Sequence, residues 1–221
     1  MTKKRISLCY KILVILSLLI GIIINLKNTS SIISLLSYYT LQSNIICLIA
    51  FLCYLVSEIR GKKYKSDIYY LIKGAIVIAI IITALVYRFA LAPNGFEMTS
   101  LATAIDNKKI ANFLVHTLSP ILVVLDYFIF DEKGKFKFYY PIIWLVIPLN
   151  YILYVYTYSS HGGTFYSIGG SRQFAYFFLD YNAIGYIGVL KWIMLFSIII
   201  LIISYVLVFF DYVWGMEKES S

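Results

Sequence analysis

Residues 71–92, LIKGAIVIAIIITALVYRFALA, form one long, almost unbroken apolar run. A helix needs about 20 mostly apolar residues to cross roughly 30 Å of hydrocarbon, and this run has that length. Reading outward from it in both directions, five more runs of the same kind appear at 8–26, 38–57, 110–130, 138–158 and 183–210. The expected fold is therefore an all-α membrane protein, a six-transmembrane-helix bundle. Its connections are short, so residues 1–221 read as a single domain.

Composition agrees with this reading. The chain is 61% hydrophobic and only 14% charged, with a mean hydropathy of +0.84, far from a soluble globular domain. Lys3, Lys4 and Arg5 precede the first run as they would in a signal peptide. That run is too long, however, and no small-residue cleavage site follows, so it reads as a retained span. Cys9, Cys47 and Cys53 fall within spans without metal-ligand or CxxC spacing, which argues against a disulfide framework or a zinc site. The formal charge of +8 does not point to nucleic acid, because the bases are interrupted by spans. They cluster instead in alternate connections: Lys3 to Arg5, then Arg60, Lys62, Lys63 and Lys65, then Lys133, Lys135 and Lys137. The positive-inside rule then puts both termini in the cytoplasm. The opposite connections carry fewer bases, and the last of them, from His161 to Asp180, is rich in glycine and aromatics and is expected to cap the bundle mouth. The tail from Glu217 to Ser221 reads as polar and unstructured.

Two polar residues on different spans should meet at one depth. Thr40, in YYTLQSN, lies about one turn inside the second span, and His116, in HTLSP, at most a couple of turns inside the fourth, both counted from the same side. A hydroxyl beside an imidazole beneath a lipid surface is the arrangement of a nucleophile and its base, suited to ester hydrolysis on a lipid. Asn44 shares a helical face with Thr40, while Asn112 and Ser119 share one with His116. Pro120 should deprive the His116 carbonyl of its helical donor and open a kink there. Candidate substrate-binding or oxyanion groups are Asn44, Arg88, Ser43, Asn112 and Asp180. Each has a structural alternative. Thr40 can bond back to the Leu36 carbonyl, Ser43, Asn44 and Asn112 can hold helices together, Arg88 can snorkel to the headgroups, and Asp180 can cap the last helix. Asp126 reads as the partner of a base, and His161 as a loop histidine with glycines that allow it to bend toward the pocket.

Taken in order on a six-span chain, YYTLQSN, HTLSPILVVLDY and YFFLD resemble the androgen-induced and androgen-dependent-regulator membrane proteins and their bacterial six-span relatives. Residues 89–93 and 205–215 are similar as well. Animal members of that family hydrolyse fatty acid esters of hydroxy fatty acids with an intramembrane threonine and a histidine, and the resemblance puts Thr40 and His116 at those positions. One departure is Tyr176-Phe177-Phe178-Leu179, where the family often has Tyr-Pro-Phe-Leu.

The function expected is thus an intramembrane threonine hydrolase of lipid esters, with Thr40 as nucleophile and His116 as general base. Its partners would be a lipid ester substrate and the surrounding membrane lipids, with no cofactor, metal or nucleic acid. The rival reading is a transporter or lipid-binding protein using the same polar pocket; a noncatalytic scaffold is a third. Frequent Lys, Ile, Asn and Tyr resemble bacterial usage, which makes the bacterial inner (cytoplasmic) membrane the expected location.

Overall fold

The computed structural model describes residues 3–61, 66–92, 105–167 and 170–219. Helix α1 spans Lys3–Lys27, the short α2 Ile32–Leu36, α3 Tyr39–Ile59 and α4 Asp67–Val86, which continues as a π-helical turn, Tyr87–Leu91. After α5, Ile105–Phe113, a second π turn at Leu114–Leu118 leads into α6, Ser119–Phe130. Helix α7 covers Tyr140–Ser160, strands β1 (Phe165–Ser167) and β2 (Gly170–Arg172) pair antiparallel, and α8 covers Tyr181–Glu219 with a kink at Gly185, whose backbone is not helical (φ 70°, ψ 164°). Six of the helices are long and apolar enough to cross a membrane: Lys3–Lys27, Tyr39–Ile59, Asp67–Leu91, Lys109–Phe130, Tyr140–Ser160 and Tyr181–Met216.

The expected spans are all present, with shifted ends. Helix α1 starts at Lys3 instead of residue 8, and α8 runs on through Glu219, so the first part of the tail is helical. Lys and Arg are good helix formers, so a helix continues past the apolar run that identifies it. Lys62, Lys63, Lys65 and Pro93 lie outside the described residues.

The bundle is apolar outside and partly polar inside. Ile20, Ile46, Leu153 and Ile202 are exposed, whereas Ser17, Asn44, Lys73, Asp126 and Asp211 are buried. Lipid, unlike water, rewards this arrangement, because polar groups facing hydrocarbon would go unbonded. Small residues let helices approach closely. A Cβ on Gly74 would stand 2.1 Å from Trp144, which stacks α7 on α4 and donates its indole N–H to the Leu71 carbonyl at 2.9 Å.

At the end of the bundle carrying the described ends of the chain, charges are paired. Lys73, buried on α4, meets Asp126 of α6 at 2.5 Å and Asp131 at 3.0 Å. Lys11 of α1 adds Glu58 of α3 at 3.0 Å. Asp126 thus has the basic partner the sequence suggested. Buried Asp211 of α8 accepts the backbone N–H groups of Lys135 and Phe136, each at 2.7 Å, and the Tyr127 hydroxyl, pinning the α6–α7 connection.

The opposite end, called the loop end below, is covered by residues 161–167 and 170–180. Phe165, Phe174, Tyr176 and Phe178 are buried there. Tyr166 ties β1 to the start of the second span, donating its N–H to Ser34 Oγ at 2.7 Å and accepting from the Tyr38 hydroxyl at 3.1 Å. His161 does not bend inward. It is exposed and bonds the Thr157 carbonyl at 2.8 Å, one turn back on α7.

Candidate functional site

Thr40 sits in the first turn of α3, whose N-cap, Tyr38, has extended backbone. The break between α2 and α3 explains why its hydroxyl is not used on Leu36: that carbonyl belongs to the preceding helix and accepts the Gln42 amide at 3.2 Å instead. Thr40 Oγ1 lies 3.2 Å from Nε2 of His116, and each residue is only 3% exposed. The ring's other nitrogen, Nδ1, is 3.2 Å from the Asn112 carbonyl. A carbonyl only accepts, so Nδ1 carries the proton and Nε2 of the neutral ring offers its lone pair to Thr40. Tyr87 stacks on the imidazole with centroids 3.7 Å apart and planes 13° apart, fixing the plane of the ring.

Both aromatic partners stand on π turns, Tyr87 on Tyr87–Leu91 and His116 on Leu114–Leu118. The second π turn is also where the structure departs from the expectation about Pro120. Ser119 donates its N–H five residues back, to Leu114. In that register the N–H missing at Pro120 is the one Val115 would have accepted, not the one for His116. Asn44 supplies the substitute, with Nδ2 3.3 Å from the Val115 carbonyl and 2.7 Å from that of Thr40. Gly21 lets α1 back this turn closely, since a Cβ there would stand 2.9 Å from a Val115 methyl.

This geometry corrects several sequence candidates. The Asn44 donors are committed to backbone carbonyls, so they are not free for an oxyanion. Ser43 is bonded to the Thr40 carbonyl at 3.0 Å and to Thr83 Oγ1 at 2.7 Å, joining α3 to α4. Arg88 is exposed and contributes nothing to the cleft wall described next, as a snorkelling side chain would. Asn112 serves His116 through its backbone carbonyl. Asp180 caps α8, its Oδ1 accepting the N–H groups of Asn182 at 3.0 Å and Ala183 at 3.3 Å. Ser119 is bonded to Ser17 at 2.8 Å rather than to the imidazole.

Beside Thr40 opens a cleft of about 280 Å³. Its walls are the start of α3, the end of α4 with its π turn, α7 near Pro148 and Tyr151, the cap at Phe178 and Leu179, and α8 from Phe196 to Ile203. They are almost wholly apolar, and Phe89, one of the lining residues, is 75% exposed, so the cleft reaches the lipid-facing surface.

Tyr176 also lines this cleft, a residue the sequence did not mark as functional. Its hydroxyl is in hydrogen-bonding reach of the Thr40 and Tyr151 hydroxyls and of the backbone N–H groups of Tyr39 and Thr40. Burial pushes its phenol up to about 12, so it keeps its proton at neutral pH. The one available signal was its place in the departing motif Tyr176-Phe177-Phe178-Leu179.

The chain matches no protein-family model, no curated protein and no solved structure.

Proposed function

We propose that the protein is an intramembrane hydrolase of lipid esters, with Thr40 as nucleophile and His116 as general base. The observation that carries this reading is the 3.2 Å contact between Thr40 Oγ1 and His116 Nε2 at the wall of an apolar cleft. In this reading Thr40 Oγ1 bonds to the ester carbonyl carbon while its proton passes to Nε2 and the carbonyl π pair moves onto oxygen. Collapse breaks the bond to the alcohol oxygen, which takes the proton from Nε2 and leaves an acyl-threonine. Water, deprotonated by the same nitrogen, then adds to the acyl carbon, and collapse breaks the bond to Thr40 Oγ1, which takes the proton back from Nε2 as the acid leaves. The apolar cleft would hold an acyl chain entering sideways from the bilayer. Fatty acid esters of hydroxy fatty acids are the first substrates to try, given the family resemblance. With the basic connections inside, the site would lie beneath the outer leaflet of a bacterial cytoplasmic membrane.

The test is a panel of lipid esters offered to the purified protein and to Thr40→Ala. The expected result is release of free fatty acid by wild type and none by the variant. Equal release by both would refute the assignment. The same cleft would suit a lipid carrier, and substrate flux into proteoliposomes without ester cleavage would favour that second reading.

A further inference from the structure

We propose that Tyr176 is a further catalytic residue, whose hydroxyl donates the hydrogen bond that holds the oxyanion formed when Thr40 attacks an ester. This rests on the hydrolase reading and deepens it.

Proton accounting points to the phenol. The Thr40 hydroxyl has one proton, and the neutral ring presents Nε2 as an acceptor because Nδ1–H is engaged by Asn112. A bond between Thr40 and Tyr176 is then donated by Tyr176. Tyr151 donates its own proton to the Ser37 carbonyl at 3.2 Å, so the single Tyr176 proton has two acceptors in reach, the Thr40 and Tyr151 oxygens. The start of α3 strengthens the donor. Leu41 and Gln42 both direct their N–H groups to the Tyr38 carbonyl, at 3.1 Å each, whereas the N–H groups of Tyr39 and Thr40 face the Tyr176 oxygen. Donation into that oxygen from the positive end of a helix polarises its O–H outward.

The location suits the step. At rest the phenol reaches Thr40 Oγ1. Once Oγ1 has bonded to the ester carbon it is a poorer acceptor, and the new oxyanion sits on the same carbon. The proton therefore changes partner by a small rotation about the C–O bond of the phenol. The other candidate donors are excluded by geometry, Asn44 being committed to two carbonyls and Arg88 being exposed. Tyr176 is held by burial, at 5% exposure, and by stacking on Phe178 with centroids 5.1 Å apart.

The experiment is steady-state hydrolysis of p-nitrophenyl decanoate by Tyr176→Phe, beside wild type and Thr40→Ala. We expect kcat to fall about 100- to 1000-fold with KM nearly unchanged. A trifluoromethyl ketone of the same chain length, which forms a tetrahedral adduct, should lose affinity by the same factor, while an unreactive ether analogue should not. Loss of turnover in Thr40→Ala together with wild-type kcat in Tyr176→Phe overturns the role of Tyr176 and leaves the hydrolase reading standing. Wild-type turnover in Thr40→Ala removes both. If Tyr176→Phe fails to fold, 3,5-difluorotyrosine at position 176 preserves the packing and alters only the donor; an unchanged kcat there also overturns the proposal.

Discussion

At the loop end of the bundle, the Thr40 hydroxyl meets a neutral imidazole beside an apolar cleft. At the other end, Lys73 meets Asp126 where both side chains are fully buried. Both are polar contacts between helices in the same apolar surroundings, yet they have different consequences. Removing one member of a buried ion pair leaves an uncompensated charge, which costs the fold dearly. Removing one member of a neutral pair leaves an uncharged group unbonded, which costs about 1–3 kcal/mol. The Thr40–His116 pair is therefore cheaper for the fold to lose than the ion pair, which is committed to architecture.

This contrast can be broken most directly at its loop end. Thr40→Ala and His116→Ala should each lower ester turnover on the order of 10³-fold or more, the double variant being scarcely worse than either single one, because the residues act as a unit. Thr40→Ala should lower the melting temperature less than Asp126→Ala does, and His116→Ala somewhat more than Thr40→Ala because it also empties the space under Tyr87. A large fall in melting temperature would make the pair structural and erase the distinction.

The opposite result is expected at the ionic end. Asp126→Ala should cost about 3–5 kcal/mol in denaturant titration in detergent. The triple substitution Lys73→Met, Asp126→Leu and Asp131→Asn should recover much of that loss, since it removes Lys73 together with both carboxylates it meets. No recovery would mean that Asp126 acts mainly through another base, Lys11 at 3.7 Å being the one in reach.

Smaller effects sharpen the picture around the site. Asn44→Ala should destabilise by about 1–3 kcal/mol, since two carbonyls lose a buried donor, and should also lower turnover by freeing the π turn beneath His116. Unaltered turnover would show that the turn holds its shape without Asn44. Asp180→Ala should cost only about 1 kcal/mol through the lost cap, with turnover preserved. A strong loss of turnover there would return Asp180 to the site.

The parts legible in the sequence are those set by uniform geometry. A fixed rise per residue makes the depth of Thr40 and His116 readable from span entries alone, and apolar runs of membrane length reveal all six spans. What stayed hidden depends on register and on tertiary neighbours. Pro120 announces a missing donor, but only the π register decides that Val115 is the carbonyl affected and that Asn44 answers it. Tyr176 was one of 21 tyrosines, and nothing local separates it from the interfacial anchors until the cap folds down onto α3. Lys73 lies inside the apolar run that marks the third span, and a buried lysine gains meaning only once Asp126 faces it.

The central claim is that the Thr40 oxygen becomes covalently acylated with help from His116. Mass spectrometry of peptides from the purified protein after treatment with a fluorophosphonate probe tests it directly. The account predicts an adduct on Thr40 in wild type, greatly reduced labelling in His116→Ala, and none in Thr40→Ala. An adduct carried by Ser43 or another residue, or undiminished labelling in His116→Ala, would contradict it.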